Sequence, residues 1–275
     1  MSTHQLSLRL ALRDSRTMLG RNLRHQKRYP SMTFMVAGLP VVFLLLFVYV
    51  FGGTLGDGLH GGLPGGPPGG GGRGQYLSYV VPGILLLTMA GTATATAVSV
   101  ASDMAEGIIA RFRTMAIARA AVLTGHVWGS VIQTAVSLAF VVAVAVLIGF
   151  RSDTGPLRWL GAAGLLLLVT FAITWLSVAL GLSSKSVESA SNAPMPLLFL
   201  PFLGSGFVPT ASMPAGLRQF AEYQPFTPII ETLRALLVGG PIGGSALVAV
   251  AWCAGIALTG YLWARRLFNR DPSAR

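Results

Sequence analysis

The chain has 275 residues, of which 53% are hydrophobic and 11% are charged. Soluble domains carry about 25% charged residues. Together with a mean hydropathy of +0.66, this composition excludes an ordinary water-soluble fold and indicates an integral membrane protein. The net charge of +11 does not indicate nucleic-acid binding, because Lys and Arg lie between apolar segments rather than beside exposed aromatics. A single cysteine, Cys253, excludes an intrachain disulfide and a cysteine-based metal cluster, and we expect no metal site.

Residues 1–33 are predicted to form a cytoplasmic amphipathic helix that lies on the membrane surface. Between positions 6 and 28, leucines share one narrow side of a helix and arginines take the opposite side. Such a basic face suits the anionic lipid headgroups of the cytoplasmic leaflet. A basic tail that only sets orientation is the alternative.

Residues 34–263 are predicted to form one all-α transmembrane domain, followed by a cytoplasmic tail at 264–275. The predicted spans are 34–51, 80–101, 128–150, 160–182, 189–208 and 246–262, close to the roughly 20 residues that cross a bilayer. The fifth contains Pro194, Pro196 and Pro201. The Gly-rich run at 52–74 has no phosphate-binding GxxxxGK[ST] pattern and is predicted to be a flexible external loop.

Prolines divide residues 213–237 into two short amphipathic helices before the last span. Broken backbone at membrane depth is tolerated only where protein or water covers it, so these helices are predicted to be external or re-entrant. Glu231 and Arg234, three residues apart, can pair on the second helix.

The charged interval 101–127 separates the second and third predicted spans. Read as an amphipathic helix, it places Asp103 and Glu106 in the first turn, where carboxylates favour the helix dipole. An ordinary solvated helix is the alternative. With the N-terminus inside, the inner segments hold 15 Lys and Arg and the outer loops hold 5. This bias places the interval and both termini in the cytoplasm of a multi-pass plasma-membrane protein.

Two motifs carry a family resemblance that covers nearly the whole chain. They are DMAEGIIARFRTMAIARAAVLTGH after the second span, and NAPMPLLFLPFLGSGFVPTASMPAGLRQFAEYQPFTPIIETLRALLVGGP before the last. With the basic N-terminal helix and six spans, their order resembles the ABC type-2 permeases, and within them the daunorubicin/doxorubicin resistance permeases of actinobacteria. The chain departs at Ala116, where such permeases often have proline.

The resemblance implies a half-transporter without catalytic residues of its own. The permease would form a homodimer, and each copy would bind one ATPase subunit, so that ATP and Mg belong to that partner and this chain carries no cofactor. It also implies that the charged interval is the coupling element and that residues 213–237 cap the path. The coupling residues would be Asp103, Glu106, Gly107, Arg111, Phe112 and Arg113. The external gate residues would be Pro214, Phe220, Pro225, Phe226, Glu231 and Arg234.

A mildly polar and aromatic path would suit hydrophobic or amphipathic cargo, such as a drug, a secondary metabolite or a lipid. Its candidate lining residues are Thr88, Thr92, Thr96, Phe199, Phe202 and Phe207. Helix packing is the alternative for the threonines, and lipid contact for the phenylalanines. Polysaccharide or glycoconjugate export is the alternative function. An ATP-independent secondary transporter is disfavoured because the central portions of the spans carry no ionisable residue. A membrane enzyme is disfavoured because the four histidines, including His126, lie outside the predicted spans without partner clusters.

Overall fold

The computed structural model describes residues 30–58, 72–107 and 119–269, which form helices and turns without a strand among them. The predicted surface helix before residue 30, the coupling residues Arg111, Phe112 and Arg113, and the tail beyond Asn269 lie outside the described residues. In chain order the helices are α1 (Pro30–Leu46), α2 (Gly52–Gly58), α3 (Arg73–Ala105), α4 (Arg119–Leu147), α5 (Pro156–Ser183), α6 (Val187–Asn192), α7 (Met195–Phe199), α8 (Ala215–Tyr223), α9 (Phe226–Val238) and α10 (Ser245–Asn269). A π-helical turn, Phe47–Phe51, continues α1 into α2.

Five of the described segments are long and apolar enough to cross a membrane. They are Val36–Leu55, Arg73–Ala105, Leu123–Leu147, Pro156–Ser183 and Ser245–Asn269. They correspond to all the predicted spans except the fifth. That segment is divided into α6, α7 and a run of turns at 200–207, because prolines at 194, 196 and 201 cannot donate backbone hydrogen bonds.

Helix α3 is the centre of the bundle. Its most apolar window is 72% buried, compared with 17% for α10, and it packs against α1, α4, α5, α6 and α9. Two glycines explain its close contacts. A Cβ at Gly181 of α5 would lie 2.6 Å from the Ala97 carbonyl oxygen, and a Cβ at Gly83 would lie 2.7 Å from the Gly206 carbonyl oxygen. At these points α3 can be approached closely only because small residues line the crossing.

The buried side chains form two apolar clusters at opposite ends of the bundle. The larger surrounds the first half of α3 and includes Tyr76, Ile84 and the buried face of α9. The smaller lies where α3 ends and α4 begins, and includes Val100, Trp175 and Phe268. We call the first end of the bundle the α9 end and the second the Glu106 end.

Several predicted boundaries differ from the observed helices. Residues 52–58 form α2 rather than loop, and Arg73 and Gly74 belong to α3. Tertiary packing offsets the helix cost of glycine here, because the Arg73 guanidinium lies 5.1 Å from the centre of the Tyr49 ring. The last helix also runs seven residues beyond the predicted end at 262, to Asn269. Ala264 and Phe268 are buried in the Glu106-end cluster, and this packing extends the helix.

Candidate functional site

The Glu106 end contains the turn that leads into the predicted coupling segment. Asp103 lies in the last turn of α3, Glu106 is the C-cap, and the φ of +68° at Gly107 belongs to the left-handed region that favours glycine. The prediction that Asp103 and Glu106 begin a helix is therefore wrong, because α3 continues to Ala105 and both residues lie at its C-terminal end. The rest of the predicted coupling helix falls on residues 108–118, outside the described part of the chain.

An internal contact joins the two helices that flank this turn. His126 Nε2 of α4 lies 3.1 Å from Asp103 Oδ2 of α3, and the two side chains are 7% and 15% exposed. The expectation that His126 lies outside the spans without a partner is wrong, because α4 begins at Arg119, nine residues earlier than predicted. Asp103 thus faces α4, whereas Glu106 is exposed.

Two of the three predicted path threonines of α3 contact α4. Thr92 accepts a hydrogen bond from Thr134 at 3.0 Å, and Thr96 donates one to Ser130 at 2.9 Å. Thr88 donates to the Ile84 carbonyl within α3. Thr88, Thr92 and Thr96 are all buried. This arrangement supports the packing interpretation, since hydroxyl pairs hold membrane helices close together.

The predicted path phenylalanines divide between a cluster and the surface. Phe202 and Phe207 stack with their centroids 4.4 Å apart, and Phe207 also lies 4.6 Å from Phe47 of the π-helical turn. Phe43 meets Phe202 edge-on at 5.6 Å. Phe199 stays outside the cluster and is 59% exposed. The cluster therefore joins the end of α1 to the proline-broken segment.

Helix α9 is deeply buried, and its Arg234 side chain contacts two other segments of the bundle. The apolar side predicted for this helix, which includes Ile229, Ile230 and Leu233, is buried. Arg234 Nη2 donates to the carbonyl oxygens of Ser205 at 2.6 Å and Tyr79 at 3.3 Å. Its guanidinium carbon lies 3.9 Å from the centre of the Tyr79 ring. Burial lowers the pKa of the guanidinium, and Tyr79 and Glu231 oppose that shift.

Glu231 is exposed, and among the ion pairs of the described residues the predicted pair with Arg234 is not found. The guanidinium instead binds backbone carbonyls on two other segments. Loss of hydration nevertheless raises the pKa of Glu231 above its ordinary value, while Arg234 opposes and Glu222 adds to that shift.

The residues that fix the C-terminal end of α9 were missed from the sequence. Ser152 Oγ donates to the Leu237 carbonyl at 2.6 Å and accepts from Trp159 Nε1 at 3.1 Å. Arg158 also reaches the Ala235 carbonyl, at 3.4 Å. Ser152 of the loop between α4 and α5, and Arg158 in the first turn of α5, thereby bind helix carbonyls that lack intrahelical donors. Only the unexplained polar residues of that short loop could have suggested such a role.

The other predicted gate residues differ in exposure. Pro214 and Phe220 are exposed on or beside α8, whereas Phe226 is buried at the start of α9 and Pro225 is half-buried. Helix α8 carries an exposed ion pair between Arg218 and Glu222, with N–O distance 2.7 Å. The two short helices predicted here are confirmed, and only the second is packed into the bundle.

The described residues hold no group of three His, Cys, Asp or Glu side chains that could bind a metal. Their five span-length apolar helices are those of a multi-pass membrane protein. A profile of the ABC-2 type transporter family matches residues 14–238, so the chain belongs to that family. It is 29% identical over 224 residues to the daunorubicin resistance ABC transporter permease protein DrrB1 of Streptomyces coeruleorubidus, covering 81% of this chain and 74% of that protein.

A second relative is the probable doxorubicin resistance ABC transporter permease protein DrrC of Mycobacterium tuberculosis. It is 24% identical over 179 residues, which are 65% of each chain. Family membership makes the chain an exporter permease subunit that works with an ABC ATPase. The predicted resemblance is confirmed.

Proposed function

We propose that this permease exports a hydrophobic or amphipathic small molecule, such as a drug or secondary metabolite, and that an ATPase partner drives it through the turn at Glu106 and Gly107. The exposed turn at the end of α3 carries this proposal. Because α3 packs against most of the bundle, a force on its end reaches both apolar clusters. Rigid-body movement of packed helices is a common means of such transmission.

The cargo class is supported by the two drug-resistance relatives and by the aromatic cluster. Phenylalanine rings offer contact area without fixed hydrogen-bonding demands, which suits flat apolar molecules. Phe199 is exposed beside this cluster and could meet cargo, lipid or a second subunit.

We further propose six spans, with both termini cytoplasmic. The chain from 189 to 208 would form the fifth span, and its backbone stays in the right-handed helical region at both described breaks, Ala193–Pro194 and Leu200. At about 1.5 Å per helical residue this length reaches about 30 Å, the thickness of the hydrocarbon core. An even span count also keeps the basic residues after α10 on the same side as those before α1. Helices α8 and α9 would then lie externally, with α9 re-entrant.

The active unit is proposed to be a homodimer with two ATPase copies. The large exposed apolar surface of α1 and α10 is consistent with lipid and with a second permease copy. ATP and Mg would be bound by the ATPase.

The coupling proposal is tested by Glu106→Ala in proteoliposomes that contain the permease, its ATPase partner and a fluorescent anthracycline. We expect a severalfold loss of anthracycline transport and of permease-stimulated ATP hydrolysis, with unchanged membrane insertion. Glu188→Ala is the matched control, because Glu188 is an exposed carboxylate in the next loop predicted on the same side. Full coupling in the Glu106 variant would refute the assignment. Anthracycline transport without any ATPase would refute the permease mechanism.

A further inference from the structure

The proline-broken segment after α7, which we call the 200–207 segment, is tied to α9 by a chain of buried hydrogen bonds. Gln224 Nε2 donates to the Leu200 carbonyl at 3.0 Å and to Thr227 Oγ1 at 3.5 Å. Thr227 Oγ1 also accepts the backbone N–H of Ser205 at 3.4 Å. The Ser205 carbonyl then accepts the Arg234 hydrogen bond. The segment is therefore bound through its backbone at several points.

The Ser205 carbonyl has a reason to bind a side chain. In a continuing helix it would accept from the residue four positions later, which is Pro209 and has no N–H. Arg234 supplies that missing donor and, through its second bond to Tyr79, fixes the segment to α3 as well as to α9. Charge-assisted hydrogen bonds of this kind are stronger than neutral ones.

Glycines allow the segment to lie this close to its neighbours. A Cβ at Gly204 would collide with Gln224 and Thr227, and a Cβ at Gly83 would collide with the Gly206 backbone. The segment is thus fitted into a narrow space between α3 and α9. Phe202 and Phe207, the aromatic contacts to α1, belong to the same segment.

The network is not fully satisfied. Arg234 Nε, Ser205 Oγ and Gln224 Oε1 are buried and have no hydrogen-bond partner within the described residues. Partly satisfied buried networks gain less than complete ones. An arrangement that is specific in geometry but incomplete in bonding is suited to being broken and re-formed.

We propose that Arg234 is the positioning residue of a latch that holds the 200–207 segment against α3 and α9, and that release of this latch accompanies each transport cycle. The segment carries the aromatic side chains that meet α1, so its release would separate α1, α3 and α9 at the α9 end. The transport role rests on the proposed export function, whereas the latch itself does not.

Thiol accessibility tests the latch. Cys253→Ala removes the single native cysteine, and Ser205→Cys then places one thiol in the segment while leaving the backbone bonds at position 205 intact. Ser205 is 3% exposed, so slow maleimide labelling is expected in this purified double variant, which is the reference protein for the test. Adding Arg234→Gln should speed labelling about tenfold or more, because a hydrogen bond to a charged group shifts an equilibrium by roughly that factor.

Arg218→Gln is the matched control, since it makes the same change at an exposed arginine of α8 whose described ion pair is with Glu222. Its labelling rate should equal that of the reference protein. Thr227→Val keeps Arg234 in place but loses one acceptor, and we expect an intermediate rate. This second variant keeps the test valid if Arg234→Gln does not fold. Equal labelling rates in the folded variants and the reference protein would overturn the latch.

A second arm measures labelling of the reference protein in proteoliposomes with its ATPase. Faster labelling of the introduced thiol during ATP turnover than with ATP withheld is expected. If Arg234→Gln speeds labelling in the first arm but the labelling rate of the reference protein is the same with and without ATP turnover, the transport role of the latch is overturned. If no candidate cargo moves while the first arm succeeds, the latch stands and the proposed function fails.

Discussion

Replacing Asp103 and His126 with alanine, singly and together, decides whether Asp103 acts on the ATPase or within the permease. The family resemblance implies contact with the ATPase, whereas the structure places the Asp103 carboxylate 3.1 Å from His126 Nε2. Both side chains are at least 85% covered, so the contact is shielded from water. If the contact stabilises the permease internally, the two single variants should be destabilised to a similar extent. The double variant should then lose less free energy of unfolding than the sum of the two single losses.

The expected magnitude follows from burial of the pair. A hydrogen bond with a charged partner contributes about 1.5–3 kcal/mol. For chains of this size, 1 kcal/mol shifts the melting temperature by roughly 2–4 °C. We therefore expect each single variant to lower the melting temperature by about 3–12 °C, and the cycle to leave a coupling energy of about 1.5–3 kcal/mol.

The assay is thermal denaturation of the purified permease in detergent, paired with stimulation of the ATPase. Glu106→Ala is the comparison, because Glu106 is exposed and caps the same helix. It should leave the melting temperature nearly unchanged while lowering stimulation. An internal stabilising role of the Asp103–His126 contact would be refuted if Asp103→Ala melted like the parent and lost stimulation while His126→Ala kept both.

Three further predictions concern the α9 end. Gly83→Ala should cost about 1–3 kcal/mol of stability and lower the yield of folded protein, because its Cβ would meet the Gly206 backbone. Gly91→Ala is the control and should be tolerated, since the nearest contact of its Cβ would be at 3.7 Å. Equal yields of the two variants would contradict this prediction. Ser152→Ala should lower the melting temperature by a few degrees, because it leaves a carbonyl of α9 and the Trp159 N–H without this partner, costing about 1–3 kcal/mol. The raised pKa of Glu231 means that the folded protein holds this proton more tightly than the unfolded chain, so the parent loses stability as pH rises above 4.5, the ordinary pKa of the group. Glu231→Gln should flatten this pH dependence of the melting temperature. Parallel curves of melting temperature against pH for the variant and the parent would refute it.

The sequence predicts the long helices well because a bilayer imposes a strong constraint. A spanning segment must satisfy its own backbone and be apolar over about 20 residues, and both requirements are visible in composition. The two short helices α8 and α9 were also predictable, since Pro214 and Pro225 occupy their N-cap positions, where proline does not interrupt a helix.

The ends of the helices and the side-chain contacts were not predictable in the same way. Charged residues near position 103 suggested a boundary, but α3 continues to Ala105 because its apolar face still has α5 to pack against. The partner of Arg234 could not be read from its own helix, where Glu231 lies at a favourable spacing. It depends on a carbonyl 29 residues earlier that Pro209 leaves without a donor.

The contacts at its two ends lead us to propose that α3 links the ATPase coupling turn to the 200–207 segment. At the Glu106 end, the Asp103–His126 contact joins α3 to α4 beside the turn that we propose receives the force of the ATPase. At the α9 end, Tyr79 of the same helix shares Arg234 with the 200–207 segment. A displacement of α3 at the first contact would reach the second through the packed bundle, because the central turns of α3 are largely buried against neighbouring helices. Loosening either contact should therefore weaken the dependence on ATP of thiol labelling at position 205. His126→Ala should have this effect even though His126 and position 205 lie at opposite ends of the bundle.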